Sequence, residues 1–139
     1  MSVKQLSVFI ENREGRLEQV TGILSEEQIN ILALSMADTL EFGILRMIVD
    51  QPEKAMEVLK KNGFSARITE VIAVRMENKP GQLHRITHIL HGAGINIEYM
   101  YSMAVADKLA IIVKASNGTR ASEALLSGGL KIFEDSEIM

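Results

Sequence analysis

The hydrophobic and polar positions of this chain follow two periods that alternate along its length. Short apolar runs such as residues 6–10 and 109–113 have the length of buried strands. After the first run, the apolar positions Val20, Ile23 and Leu24 recur at helical spacing. The pattern therefore predicts short strands separated by helices.

The first half of the chain predicts the order strand, helix, strand, strand, helix, strand. The first helix begins at Leu17, and a polar turn separates the second strand from the third. The four predicted strands cover residues 6–10, 30–37, 44–49 and 67–71.

Capping and terminating residues define the second helix of this half. Asp50 is a candidate N-cap, and Pro52 is compatible with the first helical turn. Lys60 and Lys61 suit a helix C-terminus, where their charge complements the macrodipole, and Gly63 predicts the stop. We therefore expect a helix between Asp50 and Gly63.

The second half repeats this order. Its predicted strands cover residues 71–76, 96–105, 109–115 and 130–133, and its predicted helices cover residues 82–91 and 121–126. The order βαββαβ predicts an antiparallel sheet with two helices on one face. The expected fold class is α+β, with two ferredoxin-like modules at residues 1–70 and 71–139.

The two halves also share a sequence repeat. FIENREGRLEQVTGIL and RMENKPGQLHRITHIL have the same pattern, and QINI corresponds to GINI. Asn12 corresponds in this way to Asn78, 66 positions later. Further along, Ile48-Val49 corresponds to Ile112-Val113, only 64 positions later. The change of spacing predicts a shorter hairpin turn in the second half.

The junction between the halves lacks the residues of a flexible linker. Between Phe64 and Asn78 there is no Gly, Pro or Asn. We expect either one strand shared by both modules or a tight reversal near Thr69-Glu70.

Composition argues against several classes of function. A formal charge of −3 and an aromatic content of 4% provide neither a broad basic surface nor stacking rings for nucleic acid. The absence of cysteine excludes disulfides, thiolate metal ligands and a Cys nucleophile. The N-terminus lacks a signal-peptide pattern, and no apolar run approaches the ~20 residues of a membrane span. We expect a cytoplasmic protein with no nucleic-acid or membrane partner.

Two equivalent loops carry the best candidate chemistry, Asn12-Arg13-Glu14-Gly15 and Asn78-Lys79-Pro80-Gly81, each between a first strand and a first helix. A helix N-terminus offers unpaired N–H groups to a carboxylate, and glycine lets a ligand approach the backbone. An Asn amide both donates and accepts, so Asn78 or Asn96 can contact either end of a zwitterion. Turn and cap chemistry alone is the other explanation, but the duplication of both loop and Asn favours binding.

The segment ENKPGQL followed by GINI resembles the ACT domain, whose first loop commonly reads acid or Asn, any residue, Pro, Gly. The resemblance covers nearly the whole chain as two copies. It implies that a free amino acid binds, without catalysis or a cofactor, where this loop faces the second strand of a neighbouring copy. The ligand positions that it implies are Asn78, Lys79, Pro80, Gly81, Gln82, Leu83, Asn96 and Ile97 in copy two, and Asn12, Arg13, Glu14, Gly15, Arg16, Leu17, Asn30 and Ile31 in copy one.

The resemblance also implies partners. A free-standing sensor passes its ligand state to another protein. The alternative is a regulatory subunit that works mainly by docking to an amino-acid biosynthetic enzyme such as acetolactate synthase. Because exposed sheet edges in small modules are commonly covered by pairing, we also expect a homodimer.

The two loops differ at one informative position, where Glu14 of copy one corresponds to Pro80 of copy two. A carboxylate at the helix start would compete with a ligand carboxylate for the same N–H groups. Proline instead fixes the backbone and leaves those groups available. Copy two is therefore expected to bind more tightly.

A histidine stripe is the main competing signal. His84, His88 and His91 share one face of their predicted helix and could hold a metal. The apolar face of that helix consists of Leu83, Ile86 and Leu90, which favours a solvated or partner-facing stripe and no metal. No nucleophile elbow, phosphate-binding Gly loop or zincin motif occurs, so we expect no enzyme.

Overall fold

The computed structural model describes residues 2–38 and 41–138, which divide into two compact modules. Module one is Lys4–Thr69, and module two comprises the described residues before Lys4 and after Thr69. Each module has its own hydrophobic core. Within the described part of the chain, no helix has the length and apolar character needed to cross a membrane.

The first six elements have the order βαββαβ. They are β1 (Val3–Glu11), α1 (Arg16–Glu26), β2 (Ile31–Asp38), β3 (Phe42–Val49), α2 (Pro52–Lys61) and β4 (Ser65–Met76). The strand order is β2-β3-β1-β4, and β3 is antiparallel to both β1 and β2. The turn predicted between β2 and β3 includes residues 39 and 40, which lie outside the described residues.

The second module continues from β4 with the same order as far as its second helix, α4. Its further elements are α3 (Gln82–Gly92), β5 (Ile97–Val105), β6 (Lys108–Ala115), α4 (Gly118–Ser127) and a short α5 (Asp135–Ile138). The strand order is β4-β6-β5, with antiparallel pairs. The α+β fold with two ferredoxin-like βαββαβ modules is therefore confirmed.

Strand β4 belongs to both modules. Ser65–Met76 is one uninterrupted strand, which ends the βαββαβ order of module one and begins that of module two. The chain makes no reversal at Thr69-Glu70. Of the two arrangements that the junction allowed, the shared strand is the one observed.

The closing strand predicted at residues 130–133 is much shorter than expected. Ile132 forms an isolated antiparallel bridge with Val74, flanked by hydrogen bonds from Arg75 N to Lys131 O and from Phe133 N to Ala73 O, both 2.8 Å. The chain then enters α5, which the sequence pattern did not predict.

The repeat keeps one spacing throughout, so the predicted change of spacing is wrong. Val49 pairs with Ile31 in module one, and Ala115 pairs with Ile97 in module two. Val49 therefore corresponds to Ala115, 66 positions later, and the two modules differ by no insertion. The sequence match misled because side chains alternate along a strand, and a slip of two residues keeps every side chain on the same face.

The predicted N-cap of α2 is also wrong. Asp50 does not cap the helix, because its Oδ1 accepts a hydrogen bond of 2.9 Å from the backbone N of Asn30. Helix α2 begins at Pro52 with Gln51 at the N-cap. The end of the helix agrees with the prediction, since α2 stops at Lys61 and Gly63 has a φ of 86°.

Equivalent side chains form the two cores. Leu24 and Leu59 are fully buried in module one, as are Leu90 and Leu125 in module two. Leu83, which was assigned to the apolar face of α3, is instead 42% exposed. It lies in the first turn, directly after the loop, where it is available to a ligand.

Candidate functional site

The two candidate loops have the same backbone geometry. Gly15 precedes α1 with φ 85° and ψ −12°, and Gly81 precedes α3 with φ 87° and ψ −14°. This left-handed conformation favours glycine, because a Cβ atom would strain it. No atom lies within 4 Å of a Cβ built on either glycine, so the backbone, rather than crowding, selects the residue.

Both helix starts are open to an anion. Within the described residues, neither α1 nor α3 has a side-chain cap. The first N–H group of each helix donates to a loop carbonyl at 3.4 Å, from Arg16 to Arg13 and from Gln82 to Lys79. The N–H groups that follow in the first turn have no intrahelical partner and carry the positive end of the macrodipole. Each loop therefore presents donors that suit a carboxylate.

The two helix starts differ in charge, although not for the predicted reason. Glu14 makes no capping hydrogen bond to α1, so it does not occupy the N–H groups in this structure. The acidic residue in the first turn of α1 is Glu18, while α3 has none. Residue 84, which corresponds to Glu18, is histidine. Module one thus has a carboxylate in the first turn of this helix that module two lacks.

An ion pair accompanies each loop. The Arg13 Nε lies 2.8 Å from Glu11 Oε2, and the Lys79 Nζ lies 2.9 Å from Glu77 Oε2. The hydrogen bond from Lys79 and its positive charge lower the pKa of the Glu77 carboxyl. Both loop cations are therefore largely compensated by a neighbouring carboxylate.

The residue that follows the first loop, Arg16, makes its contacts within module one. The guanidinium carbon of Arg16 lies 4.4 Å from the centroid of the Phe64 ring, and its Nη1 donates to Gln19 Oε1 at 2.7 Å. Arg16 is thus engaged with its own module. Leu17 is 37% exposed and, like Leu83, offers an apolar surface beside the loop.

The four candidate Asn amides are available for binding. Asn12, Asn30, Asn78 and Asn96 are all exposed, and no group in the described part of the chain makes a hydrogen bond to their side chains. The backbone holds two of them in place: Asn96 N donates to Ser116 Oγ at 3.1 Å, as Asn30 N donates to Asp50.

A single module does not bring its loop Asn and its strand Asn together. In module one, Asn12 precedes α1 and Asn30 follows it. The 11 residues of α1 correspond to a length of about 16 Å. Asn78 and Asn96 are separated in the same way by α3. Loop and strand Asn can therefore reach one small ligand only if they come from different modules or different copies.

Basic residues beside the loop of module two are functional candidates that the sequence reasoning missed. A cavity of about 210 Å³ is lined by α3, by β4 and by the segment that follows α4. Its lining includes Gln82, Arg85, Arg75 and Lys131. The sequence does contain a signal for these cations, because the positions of module one that correspond to Arg85, Arg75 and Lys131 carry no cation.

The histidine stripe is solvated, as expected. His84, His88 and His91 are exposed, and the rings of His84 and His88 are 5.8 Å apart between centroids. No group of three His, Cys, Asp or Glu side chains in the described part of the chain could hold a metal ion.

Comparison with solved structures supports the duplicated fold. The chain is 40% identical to protein BT0572 from Bacteroides thetaiotaomicron, with a TM-score of 0.92 and coverage of 99% of this chain and 96% of that one. It is 18% identical to the ligand-free regulatory subunit of aspartate kinase from Thermus thermophilus, with a TM-score of 0.63 and coverage of 90% and 91%. No curated protein matches the chain.

The whole sequence also fits a family model. The model that describes an ACT domain pair matches residues 1–139. The match confirms the resemblance drawn from the ENKPGQL and GINI segments, and it agrees with the two βαββαβ modules of the structure. The chain therefore belongs to the ACT domain pair family.

Proposed function

We propose that this protein is a non-catalytic sensor that binds a free amino acid between ACT modules and transmits the bound state to another protein. The observation that carries the proposal is the duplicated helix start, with a left-handed glycine and no side-chain cap. Such a helix start offers donors to the carboxylate that every amino acid has.

The exposed Asn amides supply the rest of the recognition. An amide oxygen accepts from an ammonium group, and an amide nitrogen donates to a carboxylate. Because loop and strand Asn lie at opposite ends of each module, a ligand held by both must lie between modules or between copies. The exposed Leu17 and Leu83 provide contacts for an apolar part of the ligand.

A thermal-shift screen against the twenty amino acids tests the proposal. A ligand at ~100 times its dissociation constant adds about 2.7 kcal/mol to the free energy of unfolding. We expect one amino acid, or one chemical class, to raise the melting temperature in proportion to the logarithm of its concentration. A flat response to all twenty at millimolar concentration contradicts the proposal.

Isothermal titration of Asn variants locates the site. Asn78→Ala and Asn96→Ala each remove a hydrogen bond to a charged ligand group, worth about 1.5 to 3 kcal/mol, so affinity should fall roughly tenfold to hundredfold. Asn12→Ala and Asn30→Ala serve as matched variants in module one. We expect smaller losses from them unless one site draws on both modules. Unchanged affinity in both Asn78→Ala and Asn96→Ala excludes the proposed site.

The edge of module one supplies a surface for association. Strand β2 is the outer strand of that sheet, and its Leu34 and Met36 are 45% and 39% exposed. Apolar side chains on an unpaired edge favour strand pairing with another chain. We propose that a second copy covers this edge, and that an amino-acid biosynthetic enzyme receives the signal elsewhere.

A further inference from the structure

Three cations surround the cavity of about 210 Å³ beside the start of α3. Arg75 lies on β4, and Lys131 lies on the adjacent segment that bridges to β4 through Ile132. The backbone N of Arg75 donates to the backbone O of Lys131. Arg85 comes from the second turn of α3. Its Nη2 donates to Gly128 O at 2.8 Å, so the guanidinium is held at the cavity before any ligand binds.

These positive charges outnumber the one carboxylate that lines the cavity, Glu77. Arg75 and Lys131 make no side-chain hydrogen bond or ion pair among residues 2–38 and 41–138, and the hydrogen-bond partner of Arg85 is a neutral carbonyl. Glu77 forms its ion pair with Lys79, and the charges of Arg75 and Arg85 act on it more weakly. Three like charges around one cavity repel each other, and an anion would relieve this repulsion.

Module one has no such cluster. The residues 66 positions before Arg75, Arg85 and Lys131 are Phe9, Gln19 and Ser65. The duplication thus provides an internal reference, since the same backbone carries the cations in one module and neutral side chains in the other. The cluster is a property of module two and not of the fold.

We propose that this cavity binds a second anionic group of the ligand, so that the protein prefers acidic amino acids. The inference rests on the proposed function, because the main carboxylate still binds at the loop before α3. Gln82 and Glu77 flank that loop and also line the cavity, so a ligand with two carboxylates can reach both places. A neutral side chain gains nothing from the three cations.

Titration with isosteric ligands tests this preference. L-Glutamate and L-aspartate should bind roughly tenfold more tightly than L-glutamine and L-asparagine, and added salt should reduce the difference because it screens exposed charges. The double variant Arg75→Gln/Lys131→Gln should bring the ratio close to one. The control is Lys60→Gln/Lys61→Gln, which removes the same charge at the end of α2 and should keep the ratio.

The outcomes separate this inference from the proposed function. Equal binding of acidic and amide ligands, or an unchanged preference in Arg75→Gln/Lys131→Gln, overturns the anionic pocket while amino-acid binding stands. Succinate binding that depends on Arg75 and Lys131, with no amino acid bound, supports the pocket and refutes the proposed function. If neither amino acids nor succinate nor inorganic phosphate bind, both the anionic pocket and the proposed function are refuted. A loss of the acidic preference in the double variant could also come from misfolding. The single variant Lys131→Gln, at an exposed position, controls for this, because it should fold normally and still reduce the preference.

Discussion

Single residues at equivalent positions show where the backbone constrains the sequence. Gln28 has a φ of 57°, and Gly94, 66 positions later, has a φ of 72°. A residue other than glycine is strained in this left-handed region by about 1 to 2 kcal/mol. At this position, module one therefore carries a strain that the glycine of module two avoids.

The first prediction exchanges these residues. Gly94→Ala should lower the free energy of unfolding by about 1 kcal/mol, although no atom would contact the new Cβ. Gln28→Gly should leave stability equal or raise it by up to about 1 kcal/mol. The control is Gly22→Ala within α1, which should stabilise by about 0.5 to 1 kcal/mol. Urea unfolding measures all three, and destabilisation by Gly22→Ala of the size seen for Gly94→Ala would remove the backbone explanation.

The second prediction concerns the Glu77 carboxyl, whose pKa is lowered first by the hydrogen bond and charge of Lys79 and less by Arg75 and Arg85. Lys79→Met should raise this pKa toward its ordinary value, and Arg75→Gln should raise it by less. Because the folded pKa is the lower one, the pair stabilises the fold above the ordinary Glu pKa, and this contribution is lost as pH falls through the lowered value. Carboxyl NMR titration measures the shifts, and a larger effect of Arg75→Gln contradicts the assignment.

At the scale of elements, the two helix starts have the same backbone conformation, but only α1 has an acidic residue in its first turn. Glu18 lies in the first turn of α1, and His84 replaces it in α3. A carboxylate there interacts favourably with the helix dipole, but it repels a ligand carboxylate bound at the same N–H groups. A carboxylate added in this first turn should therefore raise the stability of the helix and lower the affinity for the ligand.

The third prediction is that His84→Glu separates these two effects. The variant should stabilise the fold by about 0.3 to 1 kcal/mol and weaken amino-acid binding several-fold. His88→Glu, one turn further along the same helix, is the control and should change both much less. Thermal unfolding and isothermal titration give the two readouts. Tighter binding by His84→Glu would place the ligand carboxylate away from α3.

Local patterns predicted elements well where the responsible interactions are local. The stop of α2 at Gly63 and the two glycine loops depend on backbone conformation that neighbouring residues specify. The capping role of Asp50 failed because Asn30, 20 residues away, competes for its carboxylate. The reduced last strand also depends on a distant partner, Val74, which the sequence pattern of residues 130–133 does not contain.

In the candidate site too, the features set by neighbouring residues were predictable and those set by distant contacts were not. The loops were recognisable because Asn, Gly and helix start recur together in sequence. The basic cavity was not, because Arg75, Arg85 and Lys131 come from three elements that only the fold brings together. The exposure of Leu83 was missed because helical periodicity indicates a face of the helix but not how far the sheet covers it.

At the scale of the whole molecule, the duplication leaves two unequal sheet edges. Strand β2 ends the sheet of module one, and β5 ends that of module two. The exposed Met36 on β2 corresponds to Ser102 on β5. Leu34 on β2 is 45% exposed, whereas its counterpart on β5, Met100, is partly buried against the core of module two. The β2 edge therefore exposes more apolar surface to water, so association should use β2.

The fourth prediction is that the protein is a homodimer paired through β2, with the same surface used by both copies. Met36→Lys, and more strongly Leu34→Lys/Met36→Lys, should shift the equilibrium toward monomer, because paired like charges and lost apolar burial both oppose association. Ser102→Lys introduces the same charge at the equivalent exposed position of β5 and should leave the dimer intact. Sedimentation velocity at micromolar concentration distinguishes these cases. A monomeric parent protein, or dissociation by Ser102→Lys but not by Met36→Lys, would show that β2 is not the paired edge.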